Sequence, residues 1–411
     1  MKIKSQIWID KLIAKPIAFS LNYLVRLVGK ILSIDHRLDQ PFKRIVICKF
    51  KGLGSIIQST PMLQAIRETF PNAEIVFLST KSNVSFLSKI TVIDKVISVD
   101  DSSTWKLVTS LTKAIFQLIR NRPEIYIDLE IYSNFSSLVT ISTLAKNRIG
   151  FYLSASSYRM GIYTHMMYYN TNVPISEVYM QIARVINPES KSSTLFPIYA
   201  YTKGAVPHHQ IKDEKYIVMN MNASDLRIER RWAGVHFKEL ASQVLTNYPD
   251  KKVVFIGSGS EASYVEEVLS GFSHPNLVNL AGKTSVDELI QLIHQAELIV
   301  TNDTGPMHIA FACNTPTIAL FGPCSPEQYG WNVNAKIIYK KVYCSPCVHE
   351  FITPPCNGNN SCMQLISVEE VMHEVNEFYK NGTKLQHTIN YSPDQINYRN
   401  QHQDVLGVLN R

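Results

Sequence analysis

Short apolar runs alternate with amphipathic helical segments along most of this chain. In the first half the runs are at residues 45–48, 75–78, 92–99 and 125–130. A continuous apolar run of this length, bounded by turn residues, is typical of a parallel strand that is covered on both faces. The repeated strand–helix order therefore predicts an α/β fold with a doubly wound sheet, which binds ligands at the carboxyl ends of its strands.

The same order starts again after residues 187–214, where proline, serine and glycine occur without periodicity. The length of 411 residues is enough for two domains and extensions. We therefore predict two Rossmann-like domains, at residues 41–205 and 206–380, which face each other across a cleft as in the GT-B architecture. The composition also permits other paired Rossmann-like folds.

The two termini differ from this pattern. Residues 7–34 have apolar side chains at helical spacing, interrupted by four basic residues and a proline. We predict that residues 1–40 form a basic amphipathic extension on an anionic membrane surface. A helix packed on the protein's own core, or a transmembrane anchor, are the alternatives. Residues 381–411 are polar and rich in Asn and Gln, so we predict a flexible tail.

The charge restricts the kinds of partner. A net charge of +7 and a pI near 8.9 suit an anionic partner such as a nucleotide sugar, a phosphorylated glycan or an acidic membrane. The sequence has no basic patch with interleaved aromatic residues, so we predict no nucleic-acid partner. A cleavable signal peptide is not evident, and seven cysteines are too few for a secreted disulfide scaffold. These features favour a cytoplasmic protein.

One segment, residues 297–323, has the order of a buried strand, a tight turn, a short helix and a second buried strand. Thr304 can cap this helix, and Gly305 allows a ligand to approach the backbone. The amides at the helix start, with the helix dipole, would form an anion site that His308 supplements with a donor. An ordinary strand–helix–strand unit with a solvated cap is the alternative.

Two further groups could carry chemistry. Glu261 follows a Gly-Ser-Gly-Ser turn and could accept hydrogen bonds from a ribose diol, or could be a helix N-cap or first-turn acid. Four thiols lie within twenty residues with prolines and glycine between them: Cys344, Cys347, Cys356 and Cys362. They could bind a structural zinc ion, remain free buried thiols, or form a disulfide.

The order Asn-Asp-Thr-Gly-Pro-Met-His at residues 302–308 resembles the donor-diphosphate motif of glycosyltransferase family 9, the ADP-heptose:lipopolysaccharide heptosyltransferases and their relatives. Blocks at residues 51–75 and 222–232 extend the resemblance over roughly residues 44–380. It implies transfer of a sugar, with heptose as one candidate, from a nucleotide diphosphate such as ADP-heptose to a lipid-linked, lipopolysaccharide-type glycan. It also implies an inverting reaction that requires no metal or other cofactor, at the cytoplasmic face of the inner membrane.

The resemblance assigns the donor side to the following residues: Asn222, Arg230, Asp303, Thr304, Gly305 and His308. Arg230 stands where relatives carry a lysine near the diphosphate, and arginine keeps that charge in a flatter, forked form. Alternatively, Arg230 and Arg231 could be two solvated residues at the start of a helix. Lys51, Gly52 and Gly54 are assigned to a loop near the acceptor or the phosphates.

One position departs from the family. Many members have an aspartate, which looks like their general base, where this chain has Ser55, and a serine of ordinary pKa cannot take the proton. Glu130, after a strand of the same half, is our candidate base, and Asp128 is the second choice. Alternatively, Glu130 could be an acid at a strand end that pairs with an arginine and has no catalytic role. A nucleotide-sugar epimerase, or a non-catalytic subunit that binds sugar nucleotides, are the alternative functions.

Overall fold

The computed structural model describes residues 10–191, 193–202, 211, 214–223, 227–330, 332, 334–348, 356 and 359–381. These residues form two compact units. Of the described residues, the first unit comprises those up to Asn170 together with Ile175–Thr194, and the second comprises Thr171–Pro174 and those from Leu195 to Asn381.

The first unit contains a six-stranded sheet in which every paired strand is parallel. Its strands are β1 Arg44–Cys48, β2 Glu74–Thr80, β3 Lys95–Val99, β4 Ile125–Asp128, β5 Asn147–Tyr152 and β6 His165–Tyr168, in the order β3-β2-β1-β4-β5-β6. The strand order reverses between β1 and β4. The residues after Cys48 and after Asp128 are therefore at the topological switch point, where such sheets bind ligands.

Helices cover this sheet because the connections between parallel strands must cross its faces. The α-helices are α1 Lys15–Leu32, α2 Leu53–Gln58, α3 Thr60–Thr69, α4 Val84–Leu87, α5 Thr104–Arg120, α6 Asn134–Ser142 and α7 Ile175–Ile186. A π-helical turn, Asp10–Ala14, precedes α1, and 3-10 helices lie at Lys81–Asn83 and Ser154–Ile162. The helix predicted within residues 7–34 is thus present.

The second unit repeats the arrangement with β7 Tyr216–Asn220, β8 Lys252–Phe255, β9 Leu277–Asn279, β10 Leu298–Asn302, β11 Thr317–Phe321 and β12 Ala335–Tyr339, in the order β12-β11-β10-β7-β8-β9. Its α-helices are α8 Gly234–Asn247, α9 Ala262–Leu269, α10 Val286–Gln295, α11 Gly305–Cys313, α12 Pro326–Tyr329, α13 Ser361–Gln364 and α14 Val368–Lys380. Short 3-10 helices lie at Ile198–Tyr201 and Ile228–Arg230. Two doubly wound parallel sheets confirm the predicted α/β fold class.

The chain passes from the first unit to the second at Thr194–Leu195, before the predicted boundary at residue 205. Helix α7 contacts α2 and α3 of the first unit. The 3-10 helix at Ile198–Tyr201 already contacts α10, and Gln291 Nε2 donates to the carbonyl of Tyr199 at 2.9 Å. These contacts place the passage of the chain from the first unit to the second between α7 and the 3-10 helix Ile198–Tyr201. The tail predicted to be flexible lies, after Asn381, outside the described residues.

Candidate functional site

Four asparagine and threonine side chains fix the carboxyl ends of β7 and β10 in the second unit. Asn220 Nδ2 donates to Thr301 Oγ1 at 2.9 Å and to Thr304 Oγ1 at 2.8 Å. Asn302 Oδ1 accepts a hydrogen bond from the backbone amide of the buried Trp232 at 3.1 Å. This network lies at the switch point of the sheet and holds the turn into α11, where the sequence predicted the anion site.

A charged cluster follows directly after β10. Arg230 Nη1 lies 3.6 Å from Asp303 Oδ2 and donates to the Asp303 carbonyl at 3.3 Å. His308 Nε2 lies 3.9 Å from Asp303 Oδ1. Asp303 and His308 are only 3% and 5% exposed, whereas a quarter of the Arg230 side chain is exposed. The structure therefore brings together three of the residues predicted to bind the donor.

This cluster is incompletely hydrogen-bonded. Arg230 Nε and Asp303 Oδ2 are buried and have no hydrogen-bond partner among the described residues. Buried polar atoms in folded proteins are nearly always paired, because an unpaired one loses its solvation without compensation. Asp303 Oδ2 is compensated by the nearby charge of Arg230, so it is the Arg230 Nε donor that fits a site completed by an anionic ligand.

The start of α11 differs in detail from the prediction. Within the described chain Thr304 makes no cap hydrogen bond; its hydroxyl instead accepts from Asn220 and donates to the Asn302 carbonyl at 3.3 Å. Thr304 is therefore the N-cap residue, as predicted, but its side chain makes no cap hydrogen bond in the described chain, because the asparagine network engages the hydroxyl. Pro306 has no N–H, and the Met307 amide donates to the Thr304 carbonyl at 3.1 Å. Fewer amides than expected are left for an anion, and Gly305 supplies the first amide of the helix.

Cys324 belongs to this cluster and was not predicted from the sequence. It is fully buried close to Arg230 and Asp303. Burial raises the pKa of the Cys324 thiol well above its ordinary value, so the thiol stays neutral. Its position directly after the Phe-Gly-Pro turn of residues 321–323 gave no sign of this proximity.

Asn222 and Glu261 occupy neighbouring strand ends. Asn222 Nδ2 donates to the Ile256 carbonyl at 2.8 Å, while its Oδ1 is buried with no partner among the described residues. A β-carbon at Gly257 would come within 2.7 Å of Asn222 Nδ2, so this close approach requires glycine. Glu261 is the residue before α9, and its Oε2 accepts from the amide and hydroxyl of Ser258, each at 2.8 Å. A ribose contact by Glu261 stays a prediction beside this local role.

Arg231 differs from Arg230. Its Nη2 donates to the Ala223 carbonyl at 2.9 Å, and its guanidinium lies 4.5 Å from the ring centre of Tyr264. Arg231 thus packs on Ala223 and Tyr264, whereas Arg230 is directed to Asp303. Two adjacent arginines therefore have different surroundings.

In the first unit, Glu130 lies beside the loop that follows β1. Its Oε1 accepts from the amides of Phe50 at 2.8 Å and Lys51 at 3.0 Å, and its Oε2 accepts from Lys49 Nζ at 3.0 Å. Burial lowers the pKa of Lys49, but the adjacent Glu130 carboxylate outweighs this and keeps the ammonium charged, with a pKa above its ordinary value. A carboxylate offers about four acceptor positions, so about one remains for a substrate hydroxyl.

Among the residues that the structure describes, the arginine pairing considered for Glu130 is not formed. Arg148 Nε donates to the Ile162 carbonyl at 2.6 Å, and Arg159 Nη1 donates to the Ser133 carbonyl at 2.5 Å. Lys49 is the partner instead. The position of Glu130 next to the loop is as expected, and its role as base stays a prediction.

Asp128, the second candidate, is fully engaged by the protein. Its Oδ2 accepts from Tyr163 Oη at 2.7 Å, Ser136 Oγ at 2.8 Å and Thr140 Oγ1 at 3.3 Å, and its Oδ1 accepts from the Glu130 amide at 2.9 Å. Burial raises the pKa of Asp128, and the Tyr163 hydrogen bond is the strongest opposing effect. Asp128 therefore orients the segment that carries Glu130, and the geometry favours Glu130 as the base.

Ser55 and Gly54 lie in a helix rather than in a loop, because α2 begins at Leu53. The loop assignment of Gly54 is thus corrected, whereas Lys51 and Gly52 precede the helix. Gly52 has φ +88°, a conformation that side chains disfavour. Ser55 hydrogen-bonds to the buried phenol of Tyr179.

The four clustered cysteines line one cavity of about 250 Å³ in the second unit. All four are free thiols, and Cys347 and Cys362 are buried. Burial raises the pKa of Cys362 to about 11. Among the described residues, no three His, Cys, Asp or Glu side chains are placed to hold a metal ion. A structural zinc site at these thiols stays a prediction.

The environment of His308 predicts an effect of pH on stability. Burial lowers the pKa of His308 from its ordinary 6.5 to about 4; Asp303 opposes the shift and Arg230 adds to it. As pH falls from 6.5 towards 4, the unfolded chain binds a proton that the folded chain does not, so stability decreases across this window by about 3 kcal/mol. Urea unfolding across this window should show a smaller decrease for His308→Gln than for the wild type. Identical pH dependence in the two proteins would contradict this assignment.

The comparison with known proteins agrees with this geometry. The family model described as glycosyltransferase family 9 (heptosyltransferase) matches residues 115–354, more than half of the chain. Lipooligosaccharide heptosyltransferase 2 of Campylobacter jejuni is 23% identical over 329 residues, which cover 79% of this chain and 95% of that protein.

Two solved Escherichia coli structures share the fold. ADP-heptose lipopolysaccharide heptosyltransferase II has a TM-score of 0.64 at 21% identity, covering 82% of this chain and 99% of its own. Heptosyltransferase WaaC with ADP-2-deoxy-2-fluoro heptose has a TM-score of 0.62 at 14% identity, covering 81% and 99%. On the strength of the family match, this chain belongs to glycosyltransferase family 9, the heptosyltransferase family, and is a glycosyltransferase.

Proposed function

We propose that this protein transfers heptose from an ADP-heptose-type donor to a hydroxyl of a lipid-linked lipopolysaccharide core, with inversion at the anomeric carbon. The supporting observation is the incompletely hydrogen-bonded cluster of Arg230, Asp303 and His308 at the start of α11. The named relatives, of which one is an ADP-heptose enzyme and another was solved with an ADP-heptose analogue, support the choice of donor. The reaction would take place at the cytoplasmic face of the inner membrane.

The donor side needs a group that accepts the charge of the leaving diphosphate. Arg230 has an unpaired Nε and a partly exposed guanidinium, and the positive end of the α11 dipole lies beside it. His308 is neutral near pH 7 because burial lowers its pKa to about 4, so one ring nitrogen can donate without adding a charge. Asp303 orients both side chains. In this proposal these groups, and no metal ion, stabilise the leaving group.

The acceptor side needs a base. As the acceptor oxygen bonds to the anomeric carbon, the bond from that carbon to the diphosphate oxygen breaks, and its electron pair leaves with the diphosphate. The acceptor proton passes to Glu130, whose carboxylate is held by Lys49 and two backbone amides. Attack from the side opposite the leaving group inverts the anomeric centre.

One observation favours a second candidate function. Ser55 stands where many relatives have an acid, which would suit a subunit that binds the sugar nucleotide without turnover. An epimerase would use the same donor side, but family membership favours the transferase.

Thermal unfolding with ADP-, GDP- and UDP-sugars tests the donor side of the proposal. A ligand at about one hundred times its Kd stabilises the folded state by about 2.7 kcal/mol. We expect ADP-heptose and ADP to raise Tm more than the GDP- and UDP-sugars do, and EDTA to leave the shift unchanged. A shift only with a GDP- or UDP-sugar would refute the assigned nucleotide, and a shift that EDTA abolishes would refute metal independence.

A further inference from the structure

Helix α1 is fixed to the first unit along one narrow face. Its Ala18 and Asn22 are buried, and Asn22 Oδ1 accepts from the Gly161 amide at 2.5 Å. At the preceding turn, Asp10 accepts from the Phe135 amide and from Asn134 Nδ2, each at 2.8 Å, at the start of α6. Because these polar contacts anchor both parts of the segment, α1 is an integral surface helix of this unit.

The opposite face of α1 is apolar and exposed to solvent. Together with the preceding turn, it carries ten large hydrophobic side chains that are each more than 40% exposed: Leu12, Ile13, Ile17, Phe19, Tyr23, Leu24, Leu27, Val28, Ile31 and Leu32. Monomeric proteins rarely leave an apolar patch of this extent open to water. Lys15, Arg26 and Lys30 lie along one side of it, and residues 15–32 include no acidic residue.

Helix α5 also has one buried side and one exposed apolar side. Its inner side buries Ala114 and Leu118, while Trp105 and Phe116 on the outer side are 76% and 68% exposed, in line with Val108 and Ile119. Three exposed basic residues lie beside this stripe: Lys106, Lys113 and Arg120. Residues 104–120 again include no acidic residue. Helix α6 contacts both α1 and α5, so the two helices share one neighbour in the first unit.

We infer that α1 and α5 dock the first unit on an anionic phospholipid surface, with both helices lying in the plane of the interface. An apolar stripe with basic residues beside it is the pattern of helices that bind such surfaces. Residues 12–32 are long and apolar enough to cross a bilayer. A spanning orientation would, however, withdraw Asp10 and Asn22 from their partners, so the contacts favour the in-plane orientation.

This inference is independent of the transfer reaction, because binding to vesicles is measured without donor or acceptor. Full-length protein would be floated with vesicles of phosphatidylethanolamine and phosphatidylglycerol, and with vesicles of phosphatidylcholine. We expect binding to the anionic vesicles, weaker binding to the neutral ones, and release by alkaline carbonate.

Two pairs of changes test the two helices separately. Leu27→Glu with Ile31→Glu on α1, or Trp105→Glu with Phe116→Glu on α5, should each lower the partition coefficient by roughly tenfold or more, because each pair removes two large apolar side chains from the interface. Leu365→Glu, at an exposed leucine of the second unit, is the matched control and should bind like the wild type. Circular dichroism and Tm would verify that each variant is folded.

Several results would overturn the inference. Wild-type protein that does not float with anionic vesicles, or that resists carbonate extraction, would refute in-plane docking. A folded α5 variant that binds like the wild type would remove α5 from the surface. A wild-type dimer that the α1 changes convert to a monomer, without vesicle binding, would assign the apolar face to a second copy of the chain.

Discussion

Replacing Glu130 by glutamine should lower kcat about 10²–10⁴-fold while donor affinity changes little, because an amide cannot accept the acceptor proton. Glutamine has nearly the same shape, and its carbonyl oxygen can still accept hydrogen bonds from the Phe50 and Lys51 amides. The loop after β1 should therefore keep its conformation. Initial rates at saturating donor, together with donor titration, measure the two effects separately.

Asp128→Asn is the matched control for this experiment. Asp128 has no acceptor position left for a substrate, so this change should mainly lower stability, by about 1–3 kcal/mol, as the hydroxyls of Tyr163, Ser136 and Thr140 lose their anionic acceptor. The effect on kcat should be smaller than that of Glu130→Gln. If the folded Asp128→Asn protein is inactive and Glu130→Gln is not, Asp128 is the base. If neither change affects an active enzyme, the base lies elsewhere.

The second large effect is expected at Arg230. Arg230→Ala should lower kcat/KM about 10²-fold or more, because hydrogen bonds to charged groups contribute about 1.5–3 kcal/mol each and the diphosphate would lose its cation. The cost should appear as weaker donor binding, a lower kcat, or both. Isothermal titration with ADP and steady-state rates would measure it.

Arg231→Ala is the control at the neighbouring position. Because Arg231 donates to the Ala223 carbonyl and packs on Tyr264, its loss should lower stability more than donor affinity. Arg230→Lys should retain part of the activity, since lysine also supplies a cation to the diphosphate, though without the forked geometry. Equal kinetic effects of the two alanine changes would contradict the assignment of Arg230 to the diphosphate.

Features that depend on residues close together in the sequence could be predicted, whereas contacts between residues far apart in the sequence could not. The strands were predictable because β1, β7 and β10 are local apolar runs, and Asp303 and His308 were predictable because they belong to one continuous motif. Thr304 was predicted correctly as the N-cap residue, but the loss of its cap hydrogen bond was not, because Asn220, more than eighty positions earlier, engages its hydroxyl. The sequence around Thr304 cannot predict a contact with a residue so far away in the chain.

The same reason applies to the contacts around Glu130 and Cys324. Strand order places Glu130 beside the β1 loop, which could be predicted, but the choice of Lys49 over Arg148 or Arg159 depends on packing that only the structure shows. Cys324 approaches Asp303 because β10 and β11 are neighbours, and an isolated cysteine after a Gly-Pro turn gives no sign of this.

The most direct test of the account is transfer by purified full-length protein from ADP-heptose to a lipopolysaccharide core acceptor that lacks the added heptose. Mass spectrometry would follow the acceptor, and NMR would assign the anomeric configuration of the product. We predict that the acceptor gains one heptose with inverted configuration, that EDTA has no effect, and that Glu130→Gln nearly abolishes the product. Tight binding of ADP-heptose without transfer to any core acceptor, or release of an epimerised free sugar, would contradict the account.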